Sequence, residues 1–184
     1  MEEKVLVQRS QEGNEEAFAV LVNKYKTKVF NLAFSFTRNR DTADDLAQEV
    51  FLKAYLSLSK FQLKSEFGTW LYRITVNHTK DYLRKKIKMK EIHLDDLAVS
   101  QQEERLVKEK KEDEEQKRKI LYRILDQLPE KYRLILILRD IQGFSYEDLA
   151  KILKISPGTV DSRLHRARKM LRQKIMPFLE RRHP

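Results

Sequence analysis

"SYEDLAKILKISPGTVDSRLHRARKML", residues 145–171, contains two helix starts eleven residues apart, at Ser145 and Ser156. Ser145 with Asp148 three residues on makes a capping box, and "YEDLAKIL" is one short helix. "KIS" is a turn. Ser156 then caps a second helix, with Pro157 at its first position, where proline's missing N–H does no harm. Two short helices, a tight turn and a cation-rich second helix describe a helix-turn-helix. At about 100° per residue, Val160, Leu164, Ala167, Leu171 and Ile175 form one apolar stripe. Ser162, His165, Arg166 and Lys169 point the opposite way, with Arg163 and Arg168 flanking the stripe. A helix seated in a major groove needs this layout, with polar side chains toward base edges and cations at the rim toward phosphates. One acid, Asp161, sits among these cations. Two readings of it stay open. One is an acid near the helix start, compatible with the helix dipole and held near Arg168 or His165. The other is base selection, because a carboxylate accepts a hydrogen bond from cytosine N4.

The charge pattern agrees with a polyanionic partner. Net charge is +10 over 184 residues. Residues 118–184 hold 16 basic and 7 acidic side chains, whereas residues 1–96 hold 17 and 14. Such a balance points to nucleic acid, with an anionic membrane surface as the alternative. Only four glycines and four prolines occur, too few turn residues for an all-β fold. The absence of cysteine excludes disulfides and thiolate metal sites and suits a reducing compartment. No 18-residue apolar run occurs, and "MEEKVLVQRSQEGNEE" has no signal-peptide core. A cytoplasmic location without membrane insertion is expected.

Upstream, Asn14 reads as a helix cap with Glu15 and Glu16 in the first turn. Phe18, Leu21, Val22, Tyr25, Val29, Leu32, Ala33 and Phe36 follow at helical spacing. Asp41, with Asp44 three residues on, is expected to cap the next helix, "TADDLAQEVFLKAYLSL", which turns Leu46, Val50, Leu52 or Phe51, and Tyr55 inward. "SKFQLKSEFG" is an irregular connector. "TWLYRITVNHTKDYLRKKIKMK" resumes a helical period, with Leu71, Ile74, His78 and Tyr82 on one side and Arg73, Asn77, Lys80, Asp81 and Arg84 on another. Residues 95–117 contain few apolar side chains, so a flexible charged linker is expected, with an exposed helix stabilised by i,i+4 pairs as the alternative. In "ILYRILDQLPEKYRLILILRDIQG", Pro129 starts and Gly143 stops a buried helix, a better reading of "LILIL" than a strand.

Five stretches together carry a family resemblance: "GNEEAFAVLVNKYKTKVFNLAFSF", "DTADDLAQEVFLKAY", "FGTWLYRITVNHTKDYLRKK", "LPEKYRLILILRDIQGFSYEDLA" and "SPGTVDSRLHRARKMLR". Across nearly its whole length the chain resembles the extracytoplasmic-function (ECF) sigma factors of the sigma-70 superfamily, the promoter-recognition subunits of bacterial RNA polymerase. The resemblance implies an all-α protein of two small helical domains: residues 1–94 as sigma region 2, 95–117 as linker, and 118–184 as sigma region 4 with the helix-turn-helix. It implies that Asp44, Asp45, Gln48 and Glu49 face the clamp of core RNA polymerase. Phe61 and Asn77 match positions that line a pocket for a flipped −10 base, with Arg73, Lys80, Arg84, Lys85 and Lys86 holding the single strand. A core position at the loop end is the competing reading for Phe61. Thr159, Asp161, Ser162, Arg163, His165, Arg166, Arg168 and Lys169 would meet the −35 duplex. The family usually has a basic or small polar residue at Asp161. An anti-sigma factor, often membrane-anchored, is the further partner implied.

No enzyme constellation emerges. His78, His93, His165 and His183 lack ligand spacing, and no Walker loop or nucleophile elbow occurs. No catalytic residue, metal or cofactor is therefore expected. Two other readings compete. A helix-turn-helix regulator with a helical N-terminal sensor domain leaves the Phe61–Arg84 constellation and the acidic Asp44–Glu49 helix unexplained. A protein-binding helical adaptor leaves the basic C-terminal third unexplained.

Overall fold

A computed structural model describes residues 2–92 and 109–180. The chain divides into two compact units. Every regular element among the described residues is helical. The N-terminal unit contains α1 (Glu3–Gln11), α2 (Glu15–Thr37), α3 (Arg40–Ser57) and α4 (Phe67–Ile92); α5 (Glu109–Asp126), α6 (Glu130–Leu136), α7 (Tyr146–Leu153) and α8 (Pro157–Glu180) follow in the chain, and the C-terminal unit is built mainly on α5, α6 and α8.

In the N-terminal unit α2 is the centre, packing on α1, α3 and α4. Asn14 caps it as expected, its Oδ1 accepting the Ala17 N–H at 2.8 Å. Leu21, Val29, Leu32, Ala33 and Phe36 form its buried stripe. The next cap differs from expectation. Asn39, not Asp41, caps α3, its Oδ1 accepting the Thr42 N–H at 2.8 Å, so the helix begins at Arg40. α3 also sits at a different rotation about its axis. Ala43, Leu46, Ala47, Val50 and Ala54 are buried; of the alternatives Leu52 and Phe51, Phe51 is half-buried and Leu52 (59%) exposed, and Tyr55 (38%), expected inside, is exposed as well. The small alanines allow close approach of α2 and α4, and the larger side chains turn outward. The stripe of α4 is offset too. Leu71, Tyr72, Thr75, Val76 and Thr79 are buried, and Ile74, His78 and Tyr82 are only half-buried.

The short α1 lies outside the sequence reading. It buries Leu6, Val7 and Ser10, and the Ser10 hydroxyl donates to the Leu6 carbonyl at 2.7 Å. Glu3 accepts a hydrogen bond from the Tyr25 hydroxyl at 2.6 Å and pairs with Lys24. Burial, then the bond to Glu3, pushes the Tyr25 phenol well above its ordinary pKa.

In the C-terminal unit, α8 packs on α5 and α6. α5 begins at Glu109, nine residues before the expected domain start at 118. Residues 109–117 of the expected linker are thus helical, and 95–108 lie outside the described residues. The sequence there spaces opposite charges four apart (Lys110/Glu114, Lys111/Glu115, Asp113/Lys117), which supports a helix. "LILIL" is helical and buried, as expected. Pro129 occupies the cap of α6, one residue before the helix proper. The helix widens into a π turn over Ile137–Ile141, where the Gln142 N–H reaches the Ile137 carbonyl at 2.9 Å. Gly143 then takes φ +75°, a left-handed stop.

Candidate nucleic-acid and protein interfaces

The helix-turn-helix is set by local chemistry. The Ser145 N–H donates to Asp148 Oδ2 at 3.1 Å and the Asp148 N–H donates to Ser145 Oγ at 3.0 Å, the reciprocal capping box. The turn passes through Lys154 at φ +53°, a left-handed residue where such turns often place glycine. Ser156 Oγ accepts the Thr159 N–H at 3.2 Å and starts α8.

α8 is strictly two-sided. Val160, Leu164 and Ala167 are buried, while Asp161, Ser162, His165, Arg166 and Lys169 are exposed and Thr159 and Arg163 half-buried. Arg168 stands apart. Its guanidinium binds Asp140 on the π turn at 2.6 and 3.3 Å, and this bond holds its pKa above the ordinary arginine value. Arg168 is therefore engaged within the protein, although about half of its side chain (47%) remains exposed. The expected pairing of Asp161 with Arg168 or His165 does not form. Asp161 is the fifth helical residue, in the second turn and not the first, and no hydrogen bond or ion pair reaches it among the described residues.

On α4, Arg73, Asn77, Lys80 and Arg84 recur at positions 0, 4, 7 and 11 of one unbroken helix and so share a stripe. Asn77 and Arg84 are exposed, as are Lys85 and Lys86 beside the stripe; Arg73 and Lys80 are half-buried. Phe61 does not join this surface. It is 6% exposed. Its ring stacks on Trp70 at 4.8 Å and meets the edge of Phe67 at 6.1 Å. The structure thus places Phe61 in the core, where it anchors the 58–66 connector against the first turn of α4.

Asp44, Asp45 and Gln48 gather on the exposed face of α3 and line a groove between α2 and α3, opposite Lys26 and Thr27, with Val22, Phe30 and Phe51 also in its walls. Gln48 Nε2 donates to Asp44 Oδ2 at 2.9 Å. Glu49 is directed elsewhere. Its carboxylate meets His78 Nε2 at 2.6 Å, while Lys53 Nζ meets His78 Nδ1 at 2.6 Å. An ammonium must donate, so Nδ1 accepts and Nε2 carries the proton toward Glu49. The apolar side chains of the groove were missed by sequence reasoning; their helical spacing had marked Val22 as core.

Among the described residues, no His, Asp and Glu group fits a metal ion, and no helix is long and apolar enough to cross a membrane.

Comparison with known proteins agrees with this architecture. Residues 21–88 match the family Sigma-70 region 2, and residues 118–171 match Sigma-70, region 4. The chain is 37% identical to the ECF RNA polymerase sigma-E factor of Escherichia coli K12 over 97% of both chains. It is 35% identical to that of Haemophilus influenzae, over 96% of this chain and 97% of the relative. The fold is similar to CnrH, solved with the cytosolic domain of CnrY (TM-score 0.71, 24% identity, 95% of this chain and 97% of that one). It is also similar to the sigma factor RpoE of Bartonella quintana, solved with the anti-sigma factor NepR (TM-score 0.63, 24% identity, 86% and 96%). The two helical units, the helix-turn-helix and these matches make the chain a member of the ECF RNA polymerase sigma factors.

Proposed function

We propose that the two units divide promoter recognition between them. The N-terminal unit binds the clamp of core RNA polymerase through Asp44, Asp45 and Gln48, with Glu49 at the edge of that face. The same unit captures the opened −10 strand, with Asn77 at a flipped base and Arg73, Lys80, Arg84, Lys85 and Lys86 along the backbone. Phe61 serves this surface from beneath, by holding the loop. The C-terminal unit reads the −35 duplex with Thr159, Asp161, Ser162, His165, Arg166 and Lys169, and Arg163 and Arg168 lie at the rim. Strand opening is driven by binding energy, because unstacked bases must be held by stacking and edge contacts. No covalent step is involved, and the work takes place in the cytoplasm. CnrH was solved in complex with the cytosolic domain of CnrY and the Bartonella RpoE with the anti-sigma factor NepR, and an anti-sigma factor, soluble or membrane-anchored, is the corresponding partner here.

The observation that carries this reading is the two-sidedness of α8, apolar where it packs and cationic where it is free. The test is transcription. Full-length protein is added to core polymerase lacking its own sigma, with a library of promoter fragments. Specific run-off transcripts are expected. Duplex binding without transcripts would instead indicate the helix-turn-helix regulator, and neither activity would indicate an adaptor.

A further inference from the structure

We propose that Gln11 is a positioning residue for −10 recognition, setting the loop that leads into α4. The inference rests on the reading of α4 as the −10 surface given above. Gln11 is the last residue of α1. Its Nε2 donates to the Leu58 carbonyl at 2.9 Å and to the Phe61 carbonyl at 2.8 Å. The Leu58 carbonyl also receives the Phe61 N–H at 3.0 Å, closing a 3-10 turn over Leu58–Lys60. One side-chain amide therefore grips both ends of the turn in which α3 finishes.

The final carbonyls of a helix have no partner within it and normally turn to water or to a cap. Here a donor on a third helix, 47 and 50 residues away in sequence, supplies both bonds. The turn is thereby fixed to α1 and not only to α3. Phe61 then seats on Trp70 and Phe67 in the first turn of α4. From there the chain runs through Gln62 to Glu66 into α4, with Leu63 at φ +56°. Gln62, Lys64 and Glu66 are exposed along this path, and Gln11 itself is half-buried beneath it. Gln11 thus acts on DNA only through the loop. The amide is specifically required. Glutamate keeps the shape but has no proton to donate and sets its charge against two carbonyl oxygens. Leucine keeps the volume but leaves the Phe61 carbonyl without a donor and the Leu58 carbonyl with the Phe61 N–H alone.

The test uses holoenzyme assembled from core polymerase and full-length Gln11→Leu, Gln11→Glu, Asn77→Ala or unaltered protein. Core affinity and open-complex formation are measured on a promoter library randomised across the −10 element. Base preference is a ratio between sequences, so a smaller folded fraction does not move it. For Gln11→Leu, core affinity is expected to be unchanged, opening to fall about fivefold, and −10 preference to broaden; Gln11→Glu should do more of the same. The inference is overturned if both Gln11 variants keep the −10 preference while Asn77→Ala alters it, because Gln11 then only supports the fold. If Asn77→Ala also keeps the preference, the −10 assignment of α4 fails and the inference falls with it.

Discussion

Asp161 is a carboxylate on the outward face of α8, next to Ser162 and five residues before Arg166, and among the described residues it has no partner of its own. Of the two partners expected for it, Arg168 is already bound to Asp140. An exposed carboxylate without a structural contact contributes little to folding. On the face proposed to read the −35 element it has two uses, to accept a hydrogen bond from cytosine N4–H2 and to repel a misplaced phosphate. Asp161→Ser should therefore leave thermal stability nearly unchanged and shift the −35 base preference by roughly 1–3 kcal/mol at one position. Selection of −35 sequences by holoenzyme carrying the substitution checks this, and an unaltered preference would refute it.

Most helix ends decided locally were legible from the sequence, the start of α3, capped by Asn39 and not Asp41, being the exception. Asn14, the Ser145–Asp148 box and Ser156 each satisfy an N–H within three residues, so residue type and spacing suffice. The cationic stripe of α4 was legible for the same reason, since helix periodicity alone aligns Arg73, Asn77, Lys80 and Arg84. What needed tertiary structure was not legible. α1 is held by few apolar side chains and by partners on α2 and in the 58–61 turn. The rotation of α3 is set by where alanines let neighbours approach, and hydrophobicity alone placed Leu52 and Tyr55 inside. The split between Glu49 and the other three groove-face residues depends on His78, 29 residues away. Gly68 is a further case. A Cβ there would lie 2.9 Å from the Tyr25 ring and hydroxyl. Tyr25 cannot readily swing aside, because Glu3, Phe67 and Tyr72 hold it. Gly68→Ala is expected to destabilise the N-terminal unit by about 1–3 kcal/mol, despite alanine's better helix propensity. Denaturant unfolding followed by tyrosine and tryptophan fluorescence measures it, and a neutral result would mean that the ring moves after all.

At the scale of the molecule, charge is the organising quantity. Of the net +10, most resides in residues 118–184, and the free cations of α8 are concentrated on one face. Binding of the full chain to a −35 duplex should weaken steadily as salt rises, because each neutralised phosphate releases condensed counterions. Arg163→Ala, at the rim, should lower the slope of that dependence by about one without altering sequence preference. Fluorescence anisotropy across a salt series reads both, and a salt-insensitive affinity would contradict phosphate contact. The division of α8 also has an evolutionary meaning. Folding depends on Val160, Leu164 and Ala167, and substitutions at exposed, unpartnered positions usually move stability by less than about 0.5 kcal/mol. The vocabulary of the reading face is thus free to drift while the scaffold stays constant. On the proposed −35 reading, a lineage can acquire a new promoter by changing Asp161 or Ser162 without first compensating for a damaged fold.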